Sequence, residues 1–584
     1  MISDILKNLN SSQKQAVLYT QGPSIILAGA GSGKTRVLIA KVINLIKNHQ
    51  VDPKKILMIT FTNKAAAEMK NRIGLEYSLG YIGTFHSFCA KILRVEADKI
   101  GLKKNFLIYD ENDQLSLIKS IIKEINLGKK FSPSYFLNRI SAAKNRLISE
   151  KKYLEFFSDY AANDVYQVYQ GYQKELAKNN AVDFDDLLNK TVELFISKKD
   201  ILDKYQKIFQ YILVDEFQDT NFAQYLLTKI LGQKYKNVTV VGDFSQSIYS
   251  WRGAEIENLK KFEKDFPETK VFYLEKNYRS TQTILDFAYT VISKNETHPI
   301  LQLTTDNGQG EEISFYEAEN EEDEAIYVAN NINNFASSYP LDEIAVLYRT
   351  NAQSRAIEEV FLHQSIPYVL IGGTRFYERK EIKDILSYLR LLVNPIDKVS
   401  LERIKKLGVG RFKKFQQFYE EKKDDLTKKT TDELIEEIFK ATGYLEQFDV
   451  ADEDDYSRIE NIKELKSVAV AYPDLNEFLQ QVALVESEYF EGEKSLKNKN
   501  GVRLMTLHQA KGLEFAIVFI VGVEEGILPH GRSIDDLFSL EEERRLFYVG
   551  ITRAKEKLFI TYARRRFIFG SSSYCIKSRF LEEG

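Results

Sequence analysis

The feature that most constrains the fold of this chain is an apolar segment followed by a glycine-rich loop. Ser24–Ala28 is typical of a buried strand, the string AGAGSGKT occupies residues 28–35, and a helical pattern starts at Arg36. A strand, such a loop and a helix, in that order, form the frame in which backbone N–H groups and a helix N-terminus bind phosphate. The sequence therefore predicts an α/β fold with a nucleotide-phosphate site.

The residue types of this loop suit phosphate chemistry. Small residues let backbone N–H groups turn toward an anion, Lys34 can reach the β- and γ-phosphates, and the Thr35 hydroxyl can bind Mg²⁺. The loop opens with Ala28 where the strict pattern has glycine, so it matches the relaxed form of the motif. The residues predicted to bind the nucleotide here are Ala28, Gly29, Ala30, Gly31, Ser32, Gly33, Lys34, Thr35 and Arg36.

A second apolar strand ends in two carboxylates. Tyr211–Val214 is followed directly by Asp215 and Glu216. A carboxylate at a strand end can bind the Mg²⁺ that accompanies a nucleoside triphosphate, and its neighbour can accept a proton from the attacking water. We therefore assign Asp215 to the metal and Glu216 to general-base catalysis, and we expect nucleoside triphosphate hydrolysis.

Short β-branched segments alternate with longer helical patterns, which is typical of parallel α/β sheets. Two sets of strands indicate two α/β lobes. The first set comprises Ser24–Ala28, Ile56–Thr60, Tyr211–Val214, Val238–Val241 and Val271–Leu274. The second set comprises Ile313–Tyr316, Glu343–Tyr348, Val502–Leu507, Ile517–Val521 and Leu558–Thr561. The helical stretches at about 106–186 and 381–499 are expected to be insertions into loops of these lobes.

Composition narrows the function less than the motifs do. The 81 Lys and Arg against 84 Asp and Glu leave a formal charge of -3, so any contact with nucleic acid must come from local patches. Cys89 and Cys575 lie far apart in sequence and outside any metal-binding pattern, which disfavours a disulfide framework or a zinc site. Because we find no secretion signal and no apolar run of membrane length, we expect a soluble cytoplasmic protein without membrane contact.

The remaining motifs resemble those of the UvrD/PcrA/Rep branch of superfamily 1 DNA helicases, in the same order and over nearly the whole chain. They are LNSSQKQAV, AGAGSGKT, ITFTNKAAAEM, GTFHSF, DFDDLL, VDEFQDTN, VGDFSQSIYSWRGA, NYRST, LYRTNAQSR, TLHQAKGLEF and EEERRLFYVGITRAK. The resemblance implies an α/β protein with two RecA-like lobes, each with a mainly helical insertion. It also implies that ATP, with Mg²⁺, drives movement on DNA.

The resemblance assigns further residues to the nucleotide. Gln13 is similar to the amide that reads adenine, and Tyr278 to the tyrosine that stacks on it. Gln246, just after the strand Val238–Val241, is expected to sense the γ-phosphate, and Glu514 is similar to a contact on the ribose side.

Arg279 and Arg553 have the most direct mechanical role by this resemblance. Both are expected on the second lobe and are expected to reach across to ATP held by the first. Arginine suits this role because its planar guanidinium donates two hydrogen bonds to the charge on a transferring phosphoryl group. ATP binding would then close a cleft, and hydrolysis would release it.

Aromatic residues indicate a track for single-stranded DNA. Trp251 is the only tryptophan and lies in SIYSWRGA with Tyr249 and Arg252. Bases of any sequence stack on aromatic faces, and each such contact is worth about 1–3 kcal/mol. By resemblance, further DNA contacts are expected at Phe61, Thr62, Asn63, His86, Phe184, Thr506 and His508.

The resemblance also suggests domain boundaries. The expected parts are a first lobe at 1–104 and 187–274, its helical insertion at 105–186, a second lobe at 275–380 and 500–584, and a shortened accessory insertion at 381–499. Besides this shortened insertion, two short segments depart from the family pattern. Ser245 stands where the family usually has an acidic residue, and the turn Gly408–Val409–Gly410 only partly matches the family's duplex-contacting hairpin.

The expected function is that of an ATP-dependent 3′→5′ DNA helicase or translocase on single-stranded DNA. Its substrates would include junctions of single-stranded and duplex DNA, in DNA repair or replication restart. A monomer or weak dimer is expected, and the sequence identifies no protein partner. One alternative is a translocase that displaces proteins from single strands and unwinds duplexes weakly. A more distant alternative is a nucleotide-dependent DNA-binding switch without motor activity.

Overall fold

The fold is taken from a computed structural model that describes residues 6–74, 78–128, 131–423, 425–450, 452–495, 500–568 and 571–583. The chain forms two compact units. The first unit comprises the residues up to Arg279 together with Asn295–Asn307. The second unit comprises Ser280–Lys294 and the residues from Gly308 onward.

The first unit is built on a six-stranded sheet in which all strands are parallel. The strands of the unit, six of which form this sheet, are β1 (Ser24–Ala28), β2 (Ile56–Thr60), β3 (Tyr81–Thr84), β4 (Leu107–Ile108), β5 (Ala181–Val182), β6 (Tyr211–Val214), β7 (Val238–Gly242), β8 (Lys270–Leu274), β9 (Lys276–Asn277) and β10 (Thr304–Thr305). The sheet order is β3–β2–β6–β7–β1–β8, whereas β4 pairs with β5 and β9 with β10. Every residue of β1, β2 and β7 is buried, as expected for parallel strands covered on both faces.

The helices of the first unit fall into a group that covers both faces of this sheet and a group in the insertion. They are α1 (Ser11–Leu18), α2 (Lys34–Lys47), α3 (Asn63–Ile73), α4 (Phe85–Glu96), α5 (Glu111–Glu124), α6 (Pro133–Asn145), α7 (Tyr153–Phe156), α8 (Ala162–Lys178), α9 (Phe184–Ser197), α10 (Lys199–Ile208), α11 (Phe222–Gly232) and α12 (Asn258–Asp265). Ile26 and Met58 pack on one face with α1–α3, and their neighbours Ile25 and Leu57 pack on the other with α4 and α9–α12. Helices α5–α8 form a separate apolar core and lie within residues 105–186, where the sequence predicts a helical insertion.

The second unit has a sheet of the same kind. The strands of the second unit are β11 (Ser314–Ala318), β12 (Ile344–Tyr348), β13 (Tyr368–Leu370), β14 (Val502–Thr506), β15 (Phe515–Ile520), β16 (Ala554–Ala563), β17 (Arg565–Ile568) and β18 (Ser571–Tyr574). The sheet order is β11–β16–β15–β12–β14–β13, with all neighbours parallel, and β17 and β18 form an antiparallel hairpin.

The helices of the second unit fall into a group around the sheet and a group in the second insertion. They are α13 (Gln282–Ile292), α14 (Glu321–Phe335), α15 (Ser354–His363), α16 (Lys380–Val393), α17 (Lys398–Lys406), α18 (Val409–Lys422), α19 (Thr431–Thr442), α20 (Glu453–Ala471), α21 (Leu475–Ser495), α22 (Leu537–Ile551) and α23 (Arg579–Glu582). Leu389 and Ile462 of the insertion share one core with Phe519 of the sheet. No helix in the described part of the chain is both long and apolar enough to cross a membrane.

The α/β fold class predicted from the sequence is confirmed. All ten predicted strands correspond to strands of the two sheets, with ends that differ by no more than four residues. The prediction lacks β3 and β13, which also belong to these sheets. Both are short, and β3 is only partly buried, so neither presents a long apolar run in the sequence.

The division between the two units differs from the expected boundary at residues 274 and 275. It falls between Arg279 and Ser280, and Asn295–Asn307 returns to the first unit. The short pairing of β9 with β10 is the physical reason, because it holds both segments beside the first sheet. The expected outer boundaries at residues 1, 499 and 584 lie outside the described residues.

Candidate active site

The glycine-rich loop connects β1 to α2 and turns tightly. Gly31 and Gly33 adopt φ angles of 64° and 82°, in the left-handed region that favours glycine. The Ser32 hydroxyl donates a hydrogen bond to the Gly29 carbonyl over 2.7 Å, which closes the turn. Lys34 is the first residue of α2, so its side chain starts where the helix N-terminus presents its N–H groups.

The ends of three adjacent strands bring charged groups to this loop. Because β6, β7 and β1 are neighbouring parallel strands, Asp215, Asp243 and the loop lie at the same edge of the sheet. The Lys34 ammonium lies 3.1 Å from a carboxylate oxygen of Glu216. Burial by itself lowers the pKa of Lys34, but the carboxylates of Glu216, Asp243 and Asp215 outweigh it and raise that pKa. Lys34 is therefore held in its charged form.

The carboxylates at this edge outnumber the ammonium that faces them. Burial and the adjacent Glu216 raise the pKa of Asp215 to about 7, although Lys34 acts in the opposite direction. Burial also raises the pKa of Asp243. Buried carboxylate oxygens beside a hydroxyl-bearing helix N-terminus fit a hard divalent cation, which would offset the charge that Lys34 leaves unbalanced. The donor set is thus compatible with Mg²⁺ between Thr35 and Asp215.

Glu216 is held in place by an amide network. Its φ of 51° is in the left-handed region, which is uncommon for a residue with a side chain. Gln218 donates a hydrogen bond of 2.7 Å to the Glu216 carboxylate, and its amide oxygen accepts one of 3.1 Å from the Asp243 N–H. Gln246 donates to the Asp243 carboxylate over 2.7 Å. A change at the end of β7 can therefore reach Glu216 through Gln218.

Two residues of this network, Asp243 and Gln218, are absent from the sequence-based assignment. The rule that singled out Asp215, a carboxylate directly after a buried strand, applies equally to Asp243. Gln218 gives no such signal, because its role comes from two contacts with residues that are close only in the folded chain.

The two residues that the sequence assigns to the adenine base also lie beside the glycine-rich loop. Gln13 is fully buried on α1, and its amide donates to the Ser32 carbonyl over 2.9 Å. The Tyr278 backbone N–H donates to the Gly31 carbonyl over 3.0 Å, and its hydroxyl accepts a hydrogen bond from Asn10. The ring of Tyr278 is exposed. Gln13 and Tyr278 thus both contact the loop, and the ring is accessible to a planar base.

Arg279 is also next to the loop. Asn277 donates a 2.7 Å hydrogen bond to the Ala30 carbonyl and accepts one from the Arg279 N–H, also of 2.7 Å. The Arg279 Cβ would be only 2.9 Å from a Cβ built on Gly31. In this structure Arg279 belongs to the first unit, whereas the sequence-based expectation places it on the second lobe.

The remaining assigned residues lie in the second unit. Arg553 is fully buried there and donates to the carbonyls of Val549 and Leu513 at 2.9 and 3.1 Å. Glu514 is exposed, and its carboxylate lies 3.6 Å from the Lys555 ammonium. Thr506 ends β14 and accepts a hydrogen bond from the Gln509 N–H, and His508 follows it in the same turn.

Aromatic side chains of the first unit form a continuous cluster in which Phe61 and Trp251 are exposed and Tyr249 is half-buried. Phe61 and Tyr249 stack with ring centroids 5.8 Å apart and planes within 6°, and Trp251 meets Tyr249 edge-on at 6.4 Å. The Arg252 guanidinium lies 4.4 Å from the centroid of the Trp251 ring. Phe61 is 37% exposed and Trp251 is 49% exposed. We call Phe61, Tyr249, Trp251 and Arg252 the aromatic surface.

The other assigned residues of the first unit flank helix starts. Thr62 caps α3, with its hydroxyl accepting from the Ala65 N–H, and Asn63 is the first residue of that helix. His86 meets the exposed ring of Phe184 edge-on at 6.0 Å. Burial lowers the pKa of His86, which favours the neutral imidazole at physiological pH.

The aromatic surface is joined to the carboxylates by two segments that lie side by side. We call residues 215–221 the acidic segment and residues 243–258 the tryptophan loop. The Ser247 hydroxyl donates to the Gln218 carbonyl over 3.1 Å, and the Glu255 N–H donates to the Thr220 carbonyl over 3.0 Å. Ser245, where the family pattern is acidic, hydrogen-bonds instead with His298 over 3.1 Å. A displacement of one segment relative to the other would therefore break several hydrogen bonds.

Comparison with known proteins adds evidence that covers nearly the whole chain. The family model for the UvrD/REP helicase N-terminal domain matches residues 9–267, and that for the UvrD-like helicase C-terminal domain matches residues 272–411 and 409–565. Proteins named ATP-dependent DNA helicase PcrA, from Staphylococcus epidermidis and Staphylococcus aureus, are similar throughout. Each is 44% identical over 635 aligned residues, which cover 99% of this chain and 86% of the relative.

Proposed function

This chain belongs to the UvrD/Rep family of ATP-hydrolysing DNA helicases, and we propose that it uses ATP to move 3′→5′ along single-stranded DNA. The observation that carries the coupling of DNA to hydrolysis is the contact between the acidic segment and the tryptophan loop, whereas the direction follows from the resemblance to the helicase family. A base that stacks on Trp251 would displace the tryptophan loop. The first residue of this loop, Asp243, hydrogen-bonds with Gln218 and Gln246. DNA occupancy and the position of Glu216 would then depend on each other.

The nucleotide roles that we propose follow the charges of the site. Lys34 binds the β- and γ-phosphates, Glu216 accepts the proton of the attacking water, and Gln246 responds to the γ-phosphate through Asp243. Mg²⁺, held by Thr35 and Asp215, would neutralise charge on the phosphates. These roles are supported by the 3.1 Å pair of Lys34 and Glu216 and by the buried carboxylates beside it.

The base and the transferring phosphoryl group would engage further residues. We propose that Gln13 and Tyr278 contact adenine, that Glu514 contacts the ribose side, and that Arg279 and Arg553 stabilise the charge that develops during phosphoryl transfer. The contact of Arg279 with the loop supports its role. Arg553 donates to backbone carbonyls in this structure, so its role would require those hydrogen bonds to be exchanged.

The aromatic surface is the proposed track for single-stranded DNA. Stacking is independent of base identity, which suits a motor that moves over any sequence. His86 and Phe184, with Thr62 and Asn63, would extend the track in the first unit, and Thr506 and His508 would contribute from the second.

Replacing Trp251 by alanine is expected to lower DNA-stimulated ATP turnover about ten-fold while basal turnover changes less than two-fold. The loss of one base–aromatic contact, about 1–3 kcal/mol, sets this size. The measurement is steady-state ATPase activity with and without single-stranded DNA. Tyr235→Ala, which removes an exposed aromatic ring outside the surface, is the matched control. An equal loss in both assays would instead make Trp251 a residue that supports the fold.

Polarity is tested with duplexes that carry a single-stranded tail on one end only. We expect ATP-dependent unwinding of a duplex with a 3′ tail and little unwinding with a 5′ tail of equal length. The reverse preference would refute the proposed direction. A non-hydrolysable ATP analogue controls for unwinding driven by binding alone.

A translocase that unwinds weakly is the second candidate. The alignment with the relatives spans 635 positions and exceeds the 584 residues of this chain, so those relatives contain residues that this chain lacks. If the missing residues belong to the accessory insertion, duplex contact would be reduced. Such an enzyme would displace streptavidin from biotinylated single strands efficiently but would separate 3′-tailed duplexes poorly.

The cellular setting that we propose is DNA repair or replication restart in the cytoplasm, at junctions of single-stranded and duplex DNA. A monomer or weak dimer is the proposed form. Sedimentation with and without a tailed duplex would test both the junction preference and the oligomeric state.

A further inference from the structure

A buried ion cluster lies where the helical insertion meets α9. The Lys144 ammonium on α6 lies 2.6 Å from an Asp183 oxygen and 2.9 Å from an Asp186 oxygen, and all three side chains are buried. Tyr172 of α8 donates a further hydrogen bond of 2.9 Å to Asp183. Buried charges are costly unless they are paired and hydrogen-bonded, so this cluster fixes its members tightly.

The cluster surrounds Phe184, one of the proposed DNA contacts. Asp183 and Asp186 form the capping box of α9, whose first residue is Phe184. Ser141, one turn before Lys144 on α6, donates a 2.6 Å hydrogen bond to Asp185. Helix α6 therefore binds the carboxylates on both sides of Phe184 and fixes the direction in which its exposed ring projects.

The last residue of α6 makes contact with the ATP side of the same unit. Asn221 at the end of the acidic segment donates a 2.6 Å hydrogen bond to the Asn145 side-chain oxygen. Asn145 also faces Gly253 of the tryptophan loop, where an added Cβ would lie 3.3 Å from it. Gly253 follows Arg252 directly and has a φ of 84°, so the loop turns at this contact.

The C-terminal end of α6 thus contacts the three segments on which the proposed function depends. Lys144 and Ser141 contact the turn that carries Phe184, and Asn145 contacts the acidic segment and the tryptophan loop. We propose that Asn145 and Lys144 are positioning residues. They hold Phe184 and Trp251 in fixed positions relative to the acidic segment, so that bound DNA accelerates hydrolysis. This inference rests on the proposed function, because it concerns how DNA stimulates the same ATPase.

Asn145→Ala tests the inference with little risk to the fold, since Asn145 is partly exposed and the ion cluster stays intact. We expect a three- to ten-fold loss of DNA-stimulated kcat, which lies within the range for mutations along a coupling route. Basal turnover and the KM for ATP should change less than two-fold. Asn145→Asp, which keeps the accepting oxygen, should restore most of the stimulation. Asn138→Ala, on an exposed position of the same helix, is the matched control.

A second variant approaches the contact from its other side. Asn221→Asp retains the oxygen that caps α11 but removes the amide that donates to Asn145. It should reproduce the loss of stimulation, and the double variant Asn145→Ala/Asn221→Asp should be no worse than the more affected single variant. Additive losses would show that the two residues act independently and would overturn the inference.

Failure of the inference can be distinguished from failure of the proposed function. If wild-type ATPase activity does not respond to single-stranded DNA, the proposed function itself is wrong. If the wild type responds and Asn145→Ala, with an unchanged melting temperature, responds equally, the positioning role is wrong. An equal loss of basal and stimulated activity in Asn145→Ala would also contradict the inference, because it would indicate a general structural role.

Discussion

Lys34→Ala is expected to reduce ATP hydrolysis at least about 100-fold, with or without DNA, because the charge on the transferring phosphoryl group loses its ammonium partner. The buried carboxylates add to the effect. Lys34 interacts electrostatically with Glu216, Asp215 and Asp243. Its removal therefore leaves these three carboxylates without its positive charge. The measurement is single-turnover hydrolysis of radiolabelled ATP at saturating enzyme.

Lys47→Ala is the control for this variant, because Lys47 is exposed in the last turn of the same helix. It should hydrolyse ATP at the wild-type rate. Near-normal hydrolysis by Lys34→Ala would remove Lys34 from the phosphate site. Its melting temperature should be measured as well, so that unfolding is not taken for a catalytic defect.

Glu216→Gln is expected to bind ATP with nearly wild-type affinity and to hydrolyse it about 100- to 10,000-fold more slowly, as for the loss of a general base. Glutamine has almost the same shape as glutamate and keeps an oxygen that can accept from Lys34 and Gln218. The variant loses the negative charge of the carboxylate and with it the ability to take a proton. Equilibrium binding of a fluorescent ATP analogue, measured beside single-turnover hydrolysis, separates the two effects.

The contrast between binding and hydrolysis decides the role of Glu216. If binding falls as much as hydrolysis, Glu216 is a ligand of the nucleotide or its metal and not the base. Glu263→Gln, at an exposed position of α12, controls for the loss of one negative charge. An unchanged hydrolysis rate in Glu216→Gln would exclude both roles.

Both the sheets and the phosphate loop could be predicted because their physical requirements are local. Buried parallel strands are continuous apolar runs, as in Ile56–Thr60, and a tight anion-binding turn requires small residues at fixed positions. The same local rule located Asp215 at a strand end. Short strands such as Tyr368–Leu370 escaped prediction because three residues give no periodic signal.

The parts that could not be predicted depend on contacts between distant segments. Gln218 links Glu216 to Asp243, and Asn145 links an insertion helix to Asn221; neither contact is encoded by spacing along the chain. The unit boundary after Arg279 likewise depends on the pairing of β9 with β10. Sequence patterns identified the chemical groups, whereas the routes between them became visible only in the fold.

We propose that stacking of DNA on the aromatic surface controls hydrolysis at Glu216 through the tryptophan loop and the acidic segment. The most direct test is the steady-state ATP turnover of the wild-type protein, measured with increasing concentrations of single-stranded DNA of mixed sequence. We expect a saturable rise in kcat of about ten-fold or more, which corresponds to a lowering of the activation barrier by at least about 1.4 kcal/mol. Turnover that is independent of DNA, at concentrations where DNA binding is complete, would contradict it.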